Sequence, residues 1–483
     1  MLCSVSAALA CSLLSTLLLS PADPAAGSVA ATAPAADAAM TVPIAAEAPP
    51  GFLETWLERQ PPSRGAATAA QEVDEDGFEV SDGLRLYLGG QERIRYMNES
   101  NKAFGKSPKK NTFYLNRLLV NADLRSDDGW RFYVEAIDAR ITSNDRKPTG
   151  IDRNTVDLRN AFFEVEIADT TARAGRTDLK YGNQRLISPL DWANTRRTFE
   201  GAVVSQDLDG DKIDVFVTRP VGVDDRDTDS KDHSRWFSGI YSTWNGDNGD
   251  GLDVYGLALN EQHAKVAGSA GKVGKLDVYT VGARGWMKAD GLDAEAEFAH
   301  QFGQRARDSI DANMITLATG YTWAEADLKP RIGIDFDWAS GDSNPGNSSS
   351  KTFNQLFPLG HKYLGRLDLV GRQNIKAVSP NASVQLDDRT KLWTAYHVFN
   401  LDKEKDSLYN AGGAATLTDA TGSSGDKVGD EWDITVARNV EDELIFFDHV
   451  ELGFSYFSPG SFVTKQTSGG HTTMFYFQLT ANF

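Results

Sequence analysis

From Arg173 to Arg197 the chain reads RAGRTDLKYGNQRLISPLDWANTRR. Six cations lie in it (Arg173, Arg176, Lys180, Arg185, Arg196 and Arg197) against two carboxylates, Asp178 and Asp191. The local balance is about +4, whereas the whole chain carries −19. Arg93, Arg95, Arg117, Arg131 and Arg159 extend the cluster upstream. A guanidinium is a planar fork that matches a carboxylate in two hydrogen bonds. Rings of such groups are how pores favour anions. Several weak carboxylate sites in series let an anionic polymer move, where one tight site would hold it. The competing use is internal: the same arginines could pair with Glu135, Asp138, Asp157, Glu164 and Glu166 as scaffolding.

Within this stretch, Pro189 stiffens the backbone and SPLDWANTRR reads as a loop folded inward. Asp191, Asn194 and Arg196 are then expected at a constriction, with Asp191 orienting a neighbouring arginine, and Arg197 is expected to line the pore beside them. Trp192 has two uses, stacking on sugar or anchoring at the bilayer interface.

Bond-making chemistry finds less support. The seven histidines are scattered without metal-ligand spacing, and no Gly-x-Ser-x-Gly elbow is present. Asp335 and Asp337 share one strand face about 7 Å apart by strand rise, a distance that suits an acid/base pair. Nothing else completes such a site. Asp207–Asp211 (DLDGD) superficially resembles a calcium loop, but the distal glutamate is missing and its Asp-Gly pair marks a turn. No enzyme activity, metal or cofactor is expected.

The elements that position the arginines follow a period of two. Leu84, Leu86, Leu88, Ile94 and Tyr96 share one face; Arg85, Tyr87, Gln91, Arg93 and Arg95 share the other, and Glu92 interrupts the apolar side. Tyr114, Leu118, Val120, Ala122 and Leu124 oppose Arg117, Asn121 and Asp123. Ile332, Ile334, Phe336 and Trp338 oppose Arg331, Asp335 and Asp337. Thr473, Phe475, Phe477, Leu479, Ala481 and Phe483 alternate with polar or smaller neighbours. Such an aromatic strand would aggregate as an exposed edge in water. A barrel places the apolar face on lipid and the polar face in the lumen. About 18 or 19 alternating runs occur between residues 84 and 483. The segments 222–234, 339–364 and 402–430 read as long outer loops rich in Gly, Asn, Asp and Ser.

Upstream, 1–26 reads as a secretory signal, although no Lys or Arg precedes Arg59. A lipoprotein signal ending at Cys11 is the lesser alternative. Residues 27–78 read as an acidic Ala/Pro-rich linker, and 79–483 as the barrel. Both cysteines, Cys3 and Cys11, fall in the leader. The acidic balance argues against a nucleic-acid partner.

GRTDLKYGNQRLISPLDWANTRRTFEG resembles the signature of the alginate-export family of outer-membrane β-barrels. Asp335–Asp368, DFDWASGDSNPGNSSSKTFNQLFPLGHKYLGRLD, resembles a second family run, and Asp406–Tyr409 (DSLY) is a weaker third match. The resemblance implies an all-β, single closed antiparallel transmembrane barrel of 18 strands in the outer membrane. It also implies outward passage of an alginate-like polyuronate through an arginine-lined pore. The partners expected are an anionic polysaccharide, outer-membrane lipid and periplasmic secretion proteins, around a monomer. The alternative is a passive anion-preferring porin for small acidic sugars.

Overall fold

The computed structural model describes residues 77–102, 104–105, 109–225, 227–268, 273–440 and 446–483. The expected leader, and the linker through residue 76, lie outside the described residues. Eighteen long strands form the wall. They are β1 Leu84–Ser100, β2 Lys110–Ser126, β3 Trp130–Thr142, β4 Asn154–Ile167, β5 Thr170–Thr177 and β6 Phe199–Leu208. Next come β7 Asp211–Gly222, β8 Arg235–Asn245, β9 Gly251–Ala267, β10 Val273–Ala289, β11 Leu292–Arg305 and β12 Asp308–Thr322. The last six are β13 Arg331–Ala339, β14 Ile375–Asp387, β15 Thr390–Leu401, β16 Lys427–Asn439, β17 His449–Pro459 and β18 Thr472–Asn482. Each pairs antiparallel with the next, and β1 pairs with β18 from Gln91↔Asn482 to Ser100↔Thr473. The sheet therefore closes and presents no edge among these strands.

The seam is finished by the chain end. Gly90 N–H donates to the Phe483 carbonyl at 2.6 Å and Phe483 N–H returns a bond at 3.1 Å. A Cβ on Gly90 would lie 2.5 Å from the Phe483 ring, so only glycine fits there. The alternation seen in the sequence sets the faces. Gln91, Arg93, Arg95, Met97 and Glu99 are buried inward, while Leu88, Ile94 and Asn98 are exposed outward. Outward Tyr96, Tyr114 and Phe475 cluster with ring centroids 5.3 and 6.3 Å apart, as aromatic belts do.

Connections differ at the two ends. One end has short turns, such as 168–169, 209–210, 290–291 and 388–389. Asp209-Gly210 and Asp290-Gly291 each place both residues at positive φ, the tight hairpin geometry that Asp-Gly favours. The other end carries 143–153, 178–198, 223–234, 340–374 and 402–426. Short turns mark the periplasmic end of bacterial barrels, so the long loops lie outside. The expected outer loops match in place, with 340–374 running ten residues past its expected end.

The lumen is not polar throughout. Phe199, Phe216 and Phe237 point inward, and Phe357 from loop 340–374 packs on Phe199 and Phe237 at 5.2 and 4.8 Å. The expectation of a wholly polar inner face fails here because two loops need an apolar surface to pack on.

Candidate functional site

Loop 178–198 folds inward and is tied to the wall by β1 and β2. Arg93 donates to the carbonyls of Asp191 at 2.8 Å and Ala193 at 3.1 Å. Arg95 donates to the Trp192 carbonyl at 3.0 Å and to Gln478 Oε1 on β18 at 2.8 Å. Arg117 donates to the Asp191 carbonyl at 3.0 Å and to Gln91 Oε1 at 2.6 Å. The Asp191 carboxylate sits among them, 3.0 Å from Arg117, 3.2 Å from Arg196 and 3.6 Å from Arg93. Burial pushes this carboxyl up, but Arg117, Arg196, Arg93 and Arg95 together outweigh burial and hold it below its usual range. Arg117 is 0% exposed, so its charge serves the loop and does not meet a passing solute.

Loop 340–374 folds against the first. Ile187 and Phe357 form a β-bridge, and Arg197 donates to the Phe357 carbonyl at 2.6 Å. Burial pulls the Arg197 guanidinium down to about 10. Lys362 Nζ donates to Asn183 Oδ1 at 2.8 Å, and Tyr363 Oη donates to the Asn183 carbonyl. Trp192 stacks on His361 at 3.6 Å, with Arg95 Cζ 3.5 Å from the Trp192 ring centre. The second loop is held to β18 by Arg366, which donates to Tyr476, and to β13 by Arg372, whose Nη2 lies 2.7 Å from Asp337. Six non-glycine residues of the two loops (Gln184, Leu190, Arg196, Leu356, Asp368 and Asn374) sit at φ between 50° and 59°. Packing over-determines these costly conformations, as it does at functional sites.

The three family-like stretches thus converge. DSLY meets the second loop through Asp406, which accepts from the Asp342 amide at 2.9 Å and Thr352 Oγ1 at 2.5 Å.

Several predicted pore residues take other roles. Arg159 pairs with Glu135 and Asp178, Arg173 with Glu164, and Arg131 with Asp123, which is the scaffolding alternative. Asn194 donates to the carbonyls of Asn116, Arg140 and Asp152, pinning the loop to the wall instead of facing a constriction. Arg176 does not line the lumen. It shares the outward face of Ala172 and Ala174 and donates to Leu158 and Asp229 carbonyls, because Arg173 takes the inward position of that strand. Trp192 lies inside, away from the bilayer interface. Asp335 and Asp337 are not a free acid/base pair, since Asp337 holds Arg372 and Asp335 accepts from Asn381 at 3.2 Å. Asp207–Asp211 forms the β6–β7 turn, with Gly210 N–H donating to Asp207.

A cavity of about 390 Å³ lies between the two loops and the inward faces of β8–β13. Arg185, Arg284, Lys288, Arg331 and Lys362 line it with Asp253, Asp293, Glu295, Asp335 and Asp337. Arg185 is the one predicted pore residue that reaches it. Trp286 and Tyr363 supply aromatic faces, under Arg284 at 4.2 Å and Arg185 at 4.6 Å respectively. Arg185 and Arg284 share Glu295, and Arg331 Nη2 lies 2.5 Å from Asp293. Sequence reasoning passed over Arg284, Lys288 and Lys362. The period of two marks the first two as lumenal, but only the fold brings Lys362 opposite them. Ring faces, guanidiniums and hydrogen-bond acceptors in one polar cavity can hold an acidic sugar weakly.

Solved structures of similar fold are outer-membrane proteins. OccD3 (OpdP) of Pseudomonas aeruginosa is 13% identical at TM-score 0.57, covering 82% of this chain and 91% of that one. OccAB1 of Acinetobacter baumannii is 12% identical at TM-score 0.57, over 84% and 98%. P. aeruginosa OccK2 (OpdF), solved in complex with glucuronate, is 11% identical at TM-score 0.55, over 82% and 98%. No curated protein sequence matches the chain. The family model for alginate export matches residues 84–477. Closed barrel, lipid-facing belt and family together place the protein in the outer membrane as a channel. The chain belongs to the alginate export family.

Proposed function

We propose that the channel passes an anionic exopolysaccharide of the alginate type, a polyuronate, outward through the space between the two inward loops and β8–β13. The observation that carries this is the cavity lining, where Trp286 and Tyr363 offer ring faces beside Arg185, Arg284, Lys288 and Lys362. A uronate ring stacks on such faces. Its carboxylate takes the cations, and its hydroxyls donate to Glu295, Asp293 and Asp253. Arg185, Arg284 and Arg331 are already paired with Glu295 or Asp293, so their contacts to a solute are weak, which suits a moving chain. Membership of a family described by alginate export supports the outward direction. The chemistry is selection, without bond making, and no catalytic residue is assigned.

Reversal potentials across a planar bilayer under a salt gradient test the charge claim. The native channel should prefer anions, and Lys288→Gln with Lys362→Gln should reduce that preference several-fold. A cation-preferring native channel contradicts the proposal. Passage of single uronates with exclusion of oligomers would favour a porin for small acidic sugars instead.

A further inference from the structure

The outward face at the long-loop end of β5–β8 carries a lateral row of side chains that transport does not use. Arg176 pairs across strands with Glu200, and Glu200 pairs with Arg219. Arg219 Cζ then lies 3.9 Å from the ring centre of outward Trp236. Lys231, from the loop above, bonds Glu200 from the other side. The two tiers beneath are apolar or small: Ala174, Ala202, Val217 and Ser238, then Ala172, Val204, Val215 and Ile240. The row is therefore the first charged tier above the hydrocarbon belt, at the level of outer-leaflet headgroups.

Three cations face one carboxylate in this row. Glu200 is shared by Arg176, at 3.3 Å, and Lys231. Asp232 lies nearby but accepts from Ser234 and pairs with Arg235. Arg219 donates to the His233 carbonyl at 2.8 Å and makes no ion pair among the described residues. Its plane is set by stacking on Trp236, which orients the remaining N–H groups. Stacked arginine, a second arginine and a lysine above an apolar surface match a phosphate carried on acyl chains. Interfacial snorkelling accounts for one cation with an aromatic partner. It does not require a second arginine at the same height two strands away, with a lysine from the loop above joining them.

We propose that Arg176, Arg219 and Lys231 bind the phosphate of a lipid headgroup in the outer leaflet, with Trp236 seated against its sugar or glycerol. Native mass spectrometry of the full-length barrel in detergent, titrated with bisphosphorylated lipid A, tests this. Dephosphorylated lipid A and inorganic phosphate serve as separate arms. The phosphorylated lipid should be retained, the dephosphorylated lipid released, and millimolar phosphate should compete poorly because it lacks the chains. Arg219→Gln with Lys231→Gln should weaken retention roughly tenfold to thirtyfold, as expected for two interfacial cations. Glu200→Gln, which removes the competing carboxylate, should strengthen it. Heat-modifiable gel mobility confirms that each variant is folded. Equal retention of both lipids, or no change in either variant, overturns the proposal; full competition by inorganic phosphate would mean that a free anion is the ligand.

Discussion

Asp191 is the anion that the arginine cluster already holds. Arg93, Arg117 and Arg196 converge on its carboxylate, and the same loop gives its carbonyls to Arg93, Arg95 and Arg117. Asp191→Asn should leave buried guanidiniums short of a counter-charge. It should destabilise the folded barrel by about 3–5 kcal/mol, the cost of breaking a buried pair from one side. Denaturant unfolding in detergent micelles measures this, and a change below about 1 kcal/mol would show the carboxylate to be dispensable. At this scale the sequence was legible in residue type and partly in role. Arg93, Arg95 and Arg117 were identified as lumenal from the period of two, and they are. Their burial beneath a loop was not legible, because periodicity reports a face and says nothing about what covers it. Arg176 departs from its expected place because it sits at the opposite strand parity to Arg173, although both belong to one cationic stretch of the sequence.

The inward loops are the elements that turn a porin-like wall into this particular channel. Pro189 and its neighbours mark the first as an inward fold, whereas the second reads in sequence only as an outer loop, and their mutual contact joins residues far apart in the chain. Shortening 340–374 should therefore widen the pore, raising single-channel conductance several-fold while the barrel still folds. An unchanged conductance would place the constriction elsewhere. The seam makes a separate prediction. Gly90→Val forces a side chain into the space of the Phe483 ring and should lower the temperature of the heat-modifiable gel shift. Outer loop 223–234 should respond to pH. Burial raises Asp229 from 3.8 to about 6, with Asp157 adding to the effect. A carboxyl raised on folding favours the folded loop below its unfolded value, and that contribution is lost as pH rises through about 6. Hydrogen exchange in this loop should be slower at pH 5 than at pH 7.5 after correction for intrinsic rates; a loop equally protected at both would contradict this.

The described barrel has an acidic rim at its short-turn end. The turns there carry Asp127, Asp128, Asp169, Asp209, Asp247, Asp250, Asp290 and Asp388 against Lys329 and Arg389. That rim opposes a polyanion arriving from the periplasm, over a range of about 8 Å at physiological ionic strength. Entry of oligouronates from this end should speed up as salt is raised, until screening inside the lumen takes over. The closed barrel was legible from alternation, the final aromatic strand and turn pairs such as Asp209-Gly210. The cavity was not, because Lys362 and Tyr363 reach it from a loop that no strand period places. The central claim is that a polyuronate threads the cavity beside Trp286 and Tyr363. Single-channel recording with uronate oligomers of increasing length, added at the short-turn end, tests it most directly. Blocking events whose duration grows with chain length, and which shorten when the driving voltage is increased, are the predicted result. Blocks independent of length, or lengthened by voltage because the oligomer cannot leave on the far side, would contradict it.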